Sequence, residues 1–287
     1  MATTSVLGLT IAYDVVGDAG GRTWVITPGG RFAKDDPGLA EMATDLAADD
    51  GRVLLWDRPN CGASDVSFEG SSESALQADV LAALLARLDL GPAVLVGGSG
   101  GARVSLLAAA RHPEVVAGLA MWWITGRPLG LLSLATHYCS GSLRAAWDGG
   151  MEAVVALPEW AEVLERNPAN RDRFLALDPG EFIATMERWM VAYSPSSDDV
   201  VPGLGAAECE SVDVPALVFR SGEADFHHPR STSEEVAAHL PRARLVEPPW
   251  GDTEWNERAD AFQAGTEPGL FVRWPLLAPT LLEFAAR

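Results

Sequence analysis

The stretch VLVGGSGGARVS, residues 94–105, ends an apolar run on a serine between glycines and passes at once into helix-forming residues. Ser99 in such a turn has the setting of a nucleophile. Gly97 and Gly101 let the chain turn tightly, and the helix start beneath supplies free amides and partial positive charge for a developing oxyanion. A hydroxyl is a poor nucleophile unless a base takes its proton, so a histidine or carboxylate has to come within hydrogen-bond reach. The chain has five histidines, His112, His137, His227, His228 and His239. Which of them, if any, serves Ser99 is the question the sequence poses.

The elements that must position Ser99 alternate in type. SVLGLTIAYDVVG (5–17) reads as a strand bent at Gly8, and TWVITPGG (23–30), RVLLWD (52–57), AVLVGG (93–98) and VAGLAMWW (116–123) read as further, mostly buried strands. Between them, 37–48 carries Leu39, Met42, Ala43 and Leu46 at helical spacing, 72–91 carries Leu76, Val80, Leu84 and Leu88, and GARVSLLAAARHP is a helix ended by Pro113. From 126 to about 209 the strand pattern stops and short helices follow one another, the last bearing Phe182, Met186, Trp189 and Met190 on one face. That stripe reads first as helix packing, and some of it could roof a pocket. Strand signals return at 215–222 and 243–249, with a helix between them and another near the end. The fold class is α/β: a mostly parallel central sheet with helices on both faces, residues 1–125 and 209–287, carrying a helical cap at 126–208.

Composition limits the function classes. The net charge of -19 argues against nucleic acid and anionic membrane surfaces as partners, because no Lys/Arg patch is available to meet them. No leader pattern and no apolar run long enough to span a bilayer is visible, so the chain reads as soluble and cytoplasmic. Cys61, Cys139 and Cys209 are odd in number and widely spaced, which points to free thiols. Neither a metal-ligand pattern nor a nucleotide motif is present: GGSGGA lacks the lysine of a phosphate loop, so no cofactor is expected. Ten tryptophans suit either a large core or an aromatic-lined cavity. Oligomeric state stays open, a homodimer being among the options.

Gly-Gly-Ser-Gly-Gly at a strand-to-helix junction, with DRPNCGASD (57–65), PEVVAGLAMWW after the serine helix and SGEADFHHP (221–229), resembles the α/β-hydrolase superfamily over nearly the whole chain. The likeness is to its capped members: esterases, haloperoxidase-like proteins and carbon-carbon bond hydrolases. It implies Ser99 as nucleophile, Asp225 as triad acid, and the amides of Gly100 and Gly30 as oxyanion donors. Thr27-Pro28-Gly29-Gly30-Arg31 stands where the family usually has His-Gly, with Pro28 in place of that histidine. Arg31, directly after this loop, reads as a solvated charge or as a partner for a substrate carboxylate.

The family places its histidine after the last strand, and LVEPPWGDTEWNER (245–258) contains none. His112 and His239 sit near helix ends and read as structural. Three readings stand open. His227 or His228 could be a relocated base, oriented by Asp252 or Glu254, with His137 descending from the cap as a further option. Alternatively, Asp252, near the missing histidine's place and flanked by Trp250 and Trp255, could act as acid or base in a lyase, cyclase or decarboxylase. The third reading is a binding protein that retains an aromatic pocket near Trp122 and Trp123. The expected activity is cofactor-independent hydrolysis of a small hydrophobic ester, lactone or related carbonyl compound.

Overall fold

The computed structural model describes residues 1–18, 20–48, 51–194, 199–266 and 269–286. Its strands are β1 (Ala2–Val6), β2 (Leu9–Gly17), β3 (Thr23–Thr27), β4 (Arg52–Trp56), β5 (Ala93–Gly98), β6 (Val116–Trp122), β7 (Asp199–Val201), β8 (Leu204–Gly205), β9 (Ala216–Phe219) and β10 (Ala243–Val246). Eight of them form one sheet in the order β1-β2-β4-β3-β5-β6-β9-β10, and β7 and β8 pair separately. The pairs β1–β2 and β2–β4 are antiparallel, whereas every pairing from β4 across to β10 is parallel.

The continuous apolar runs of β3 and β5 lie wholly buried because helices cover both faces of the sheet there. On one face Glu73–Leu88 and Gly100–Arg111 pack through Leu76, Leu84, Val104 and Leu107. On the other, Leu39–Ala47 and Ala278–Ala285 pack through Met42, Leu46, Ala278 and Leu281. The parallel strands start together at one edge and finish together at the other, so the residues that follow β3, β5, β6 and β9 converge at the finishing edge. Ser99 follows β5 there, and ligand sites in such sheets form at that edge.

The segment expected as one strand with a bend is a hairpin. Leu7 and Gly8 both take positive φ (49° and 79°), the backbone of a two-residue turn, and β1 folds back on β2. A second difference is β7–β8 inside the stretch expected to lack strands. Pro202 and Gly203 make its turn, and Val200, Val201 and Leu204 pack into the main sheet's core rather than among the helices. A third is the helix Glu254–Ala264, in part of the stretch read as a loop, which brings Trp255 against the histidine loop.

The helices between Pro128 and Ala192 enclose a separate apolar cluster. Phe68, from the loop after β4, is pegged into it, with ring centroids 5.8 Å from Trp160, 5.2 Å from Phe174, 4.9 Å from Phe182 and 5.8 Å from Trp189. Phe182, Met186 and Trp189 of the predicted stripe are buried here, where each large side chain removed from water contributes about 1.5–3 kcal/mol. The cluster fixes the helical layer over the sheet edge. Directly above that edge, Pro128–Ala135 passes into one π-helical turn, Thr136–Ser140, which carries His137 and Tyr138.

Candidate active site

The backbone at Ser99 is strained as the glycine pattern requires, with φ 54° and ψ −119°. A Cβ on Gly101 would lie 1.9 Å from the Thr27 carbonyl oxygen, and one on Gly97 would lie 2.7 Å from the Gly101 carbonyl carbon. Only glycines fit at these two positions. The Ser99 amide donates to the Trp122 carbonyl at 3.2 Å, which ties the turn to the end of β6.

The histidine that meets Ser99 is His228, its Nε2 2.9 Å from the serine Oγ. Its Nδ1 lies 2.9 Å from Asp225 Oδ2. The orienting carboxylate is therefore Asp225, three residues upstream on the same loop, rather than Asp252 or Glu254. An ionised carboxylate has no proton to give, so Nδ1–H donates to Asp225 and the Nε2 lone pair is left to accept from Ser99. The turn makes this local arrangement possible. Asp225 Oδ1 accepts from the amides of His227 (3.0 Å) and His228 (2.9 Å), which fixes the carboxylate and leaves Oδ2 for the imidazole. Asp225 and His228 are both buried. Trp123, itself at positive φ (49°), stacks on the imidazole at 6.2 Å and 24°, and Trp255 meets it edge to face at 4.4 Å. Two indoles thus hold the ring that the sequence left without an assigned position.

On the other side of Ser99 the loop after β3 approaches closely. A Cβ on Gly29 would lie 2.9 Å from that of Ser99, and one on Gly100 would lie 3.6 Å from the Gly30 nitrogen. The Gly100 amide is among those that a helix start leaves without an internal acceptor. Sequence reasoning missed Arg58, which is buried and donates through Nη2 to the carbonyls of Gly29 (3.1 Å), Gly30 (2.8 Å) and Phe32 (3.3 Å). In a trans peptide the carbonyl and the following amide point in opposite directions, so holding the Gly29 carbonyl aims the Gly30 amide away from Arg58. The signal was present in Asp57-Arg58-Pro59, but an arginine in a loop pattern gives no hint that it caps carbonyls of another loop.

Arg31 is neither solvated nor aimed into the cavity. It pairs with Glu73 (Nε to Oε1, 3.2 Å), donates to the Tyr138 carbonyl at 3.1 Å, and lies over the ring of Trp160 at 4.2 Å. The Glu73 charge and hydrogen bond hold the guanidinium charged despite the opposing effect of burial. Asp252 is exposed and ion-paired with Arg230, and no contact joins it to Ser99. Glu254 is buried and occupied by Arg273 (2.8 Å) and Arg258 (3.3 Å). His112 bonds to Asp79 and His239 to Glu210. The three cysteines are free and buried, and burial pushes their thiols up to about 12.

Above Ser99 lies a cavity of about 270 Å³. Its walls are chiefly apolar, from Phe32, Trp123, Leu134, Tyr138, Trp255 and Phe271. His137, His227, Ser133 and Gln263 are the polar side chains that line it beside Ser99 and His228, and none of the lining side chains bears a full charge unless a histidine is protonated. Burial lowers the pKa of both His137 and His227, with neighbouring Arg31 and His228 respectively adding to the effect, so the neutral imidazole is favoured in both. Among the described residues no three His, Cys, Asp or Glu side chains come together as a metal site, and no helix is long and apolar enough to cross a membrane.

Comparison with known proteins agrees with this architecture. A family model described as alpha/beta hydrolase fold matches residues 34–122. BpoC of Mycobacterium tuberculosis H37Rv, named as a non-heme bromoperoxidase, is 27% identical over 218 residues, which are 73% of this chain and 79% of that protein. Among solved structures, the enol-lactonase from Burkholderia xenovorans LB400 superposes with a TM-score of 0.58 at 22% identity, covering 100% of both chains. A hydrolase from Pseudomonas aeruginosa PA01 superposes with a TM-score of 0.61 at 20% identity, covering 100% of this chain and 98% of that one.

Proposed function

The chain has the α/β-hydrolase fold, and we propose that it is a serine hydrolase that cleaves an uncharged ester or lactone with a rebuilt triad, Ser99–His228–Asp225. The observation that carries this reading is the unbroken hydrogen-bond line from Asp225 Oδ2 through His228 to Ser99 Oγ. In the proposed reaction Ser99 Oγ attacks the carbonyl carbon as its proton passes to His228 Nε2. The oxyanion accepts from the Gly30 and Gly100 amides, which are aimed before the reaction begins, the first of them by Arg58. Collapse expels the alkoxide, which takes the proton from Nε2, and leaves an acyl group on Ser99. Water then attacks that ester, losing its proton to Nε2, and the acid departs with Ser99 restored. Asp225 stays ionised throughout and stabilises the imidazolium.

A cavity with apolar walls and no fixed charge supports a neutral, hydrophobic substrate over a carboxylate-bearing one. The placement of Arg31 against Glu73 supports the same preference. Non-hydrolytic chemistry at Asp252 finds no support, since that carboxylate is paired with Arg230 and open to solvent. The test is turnover of short p-nitrophenyl esters and of aliphatic lactones, with mass spectrometry for an acyl adduct on the peptide containing Ser99. Turnover lost in Ser99→Ala together with a trapped adduct is the expected result. Undiminished turnover in Ser99→Ala would overturn the reading.

A further inference from the structure

Two imidazoles in the cavity have no part in the hydrogen-bond line to Ser99. His137 comes down from the π-helical turn of the helical layer, and His227 comes up from the loop that carries Asp225 and His228. Both line the cavity, and Gly130, on the preceding helix, rests on the lower loop: a Cβ there would lie 3.0 Å from the His227 carbonyl oxygen.

Among the described residues neither ring has a hydrogen-bonding partner. The His137 ring contacts the Tyr138 ring at 4.9 Å, and the His227 ring contacts those of Phe226 (3.8 Å) and Trp255 (5.9 Å). His227 is half-buried, while His137 lines the cavity from an exposed position; polar groups on an otherwise apolar wall forfeit hydrogen bonds unless water or a ligand supplies them. A neutral imidazole offers one N–H donor and one acceptor nitrogen, the complement of a hydroxyl or of a carbonyl oxygen. It offers nothing that specifically favours a carboxylate.

We infer that His137 and His227 form a second polar subsite, which binds an uncharged oxygen function, hydroxyl or keto, on the substrate at a distance from the bond that is cleaved. The substrate class is thereby narrowed to a neutral, mainly apolar carbonyl compound bearing one further oxygen. This assignment rests on the proposed function for its view of which bond is cleaved, but its test is a binding measurement that needs no turnover.

Ser99→Ala is titrated with methyl hexanoate and with its hydroxyl and keto derivatives substituted singly at positions 3 to 6, followed by the fluorescence of the cavity tryptophans Trp123 and Trp255. One added hydrogen bond corresponds to about 3–10-fold in affinity. At least one oxygenated ester is expected to bind tighter than methyl hexanoate by that factor, and the monomethyl ester of a dicarboxylic acid of the same length is expected to gain nothing. In Ser99→Ala carrying His137→Leu and His227→Leu the preference should vanish, with circular dichroism and melting temperature showing that the fold persists. His137→Gln and His227→Gln, which keep a donor and an acceptor, serve where leucine impairs folding, and they should retain part of the preference. Equal binding across the series, a preference that survives both leucines, or tightest binding of the acid would overturn the subsite. Failure of the hydrolase reading would show separately, as absence of ester or lactone turnover in the wild-type protein.

Discussion

Replacing Asp225 with asparagine tests how the rebuilt dyad works. The carboxylate accepts three hydrogen bonds: two backbone amides on Oδ1 and the imidazole on Oδ2. Asparagine keeps one oxygen, which the two amides can still claim, and turns an NH2 group toward His228 Nδ1. Two donors cannot face each other, so the imidazole must place its proton on Nε2 and present a donor to Ser99 Oγ. The base is disabled without being removed. The same exchange in a serine-protease triad lowers kcat by about 10⁴, or about 5.5 kcal/mol, and the 2.9 Å contacts on both sides of His228 predict a loss of about 10³–10⁴ here. Stability should fall much less, by about 1.5–3 kcal/mol for one charge-assisted bond. The assay is steady-state and single-turnover hydrolysis of a p-nitrophenyl ester, with melting temperature as control. A kcat within tenfold of wild type, on a protein that melts normally, would refute the assignment of Asp225.

Other consequences are more local. Arg31→Leu should destabilise the protein by about 3–5 kcal/mol, because Glu73 is then left buried without its counter-ion and with only the Asn60 hydrogen bond, and Arg31→Leu with Glu73→Leu should recover much of that on denaturant unfolding. Arg58→Met should lower kcat more than it raises KM, since the Gly29 carbonyl that aims the Gly30 amide is released along with the neighbouring carbonyls of the cavity wall; a change in KM alone would contradict its role. Gly101→Ala should fail to fold or melt far below wild type, because its methyl would meet the Thr27 carbonyl at 1.9 Å. Asp36 is pushed up to about 6, first by burial and then by the negative charges of Glu162 and Asp35. Its folded-state value lies above the unfolded one, so the folded chain holds the extra proton and stability from this group is lost as pH rises from about 4 to 6. Asp36→Asn should therefore raise stability at pH 7.5, by at most about 3 kcal/mol before solvent screening reduces it, and raise it less at pH 5, as read by denaturant unfolding at the two pH values.

The order of strands and helices was legible because buried parallel strands write themselves as continuous apolar runs, and the elbow because no other residues fit where Gly97 and Gly101 stand. Asp225 and His228 were both legible as candidates, but not as partners. Family order directed attention to 245–258, and only the turn geometry reveals that an aspartate can bond two local amides with one oxygen and an imidazole three residues on with the other. Arg58 and Trp255 were illegible for a different reason. Each acts on a residue from a distant segment, Arg58 on the loop after β3 and Trp255 on His228, and periodicity reports only which face a side chain takes. The same limit applied to Arg31, in the loop after β3, whose partner Glu73 opens the helix Glu73–Leu88. The hairpin at Leu7–Gly8 was missed because a leucine at positive φ gives no sequence signal.

In the proposed reaction His228, and not Asp252, activates Ser99. The most direct measurement is the rate at which a fluorophosphonate labels Ser99, read by intact-protein mass and peptide mapping, in wild type, His228→Ala and Asp252→Asn. Wild type and Asp252→Asn are expected to label alike, and His228→Ala about 10³-fold or more slowly. Labelling that survives in His228→Ala and is lost in Asp252→Asn would contradict that reaction.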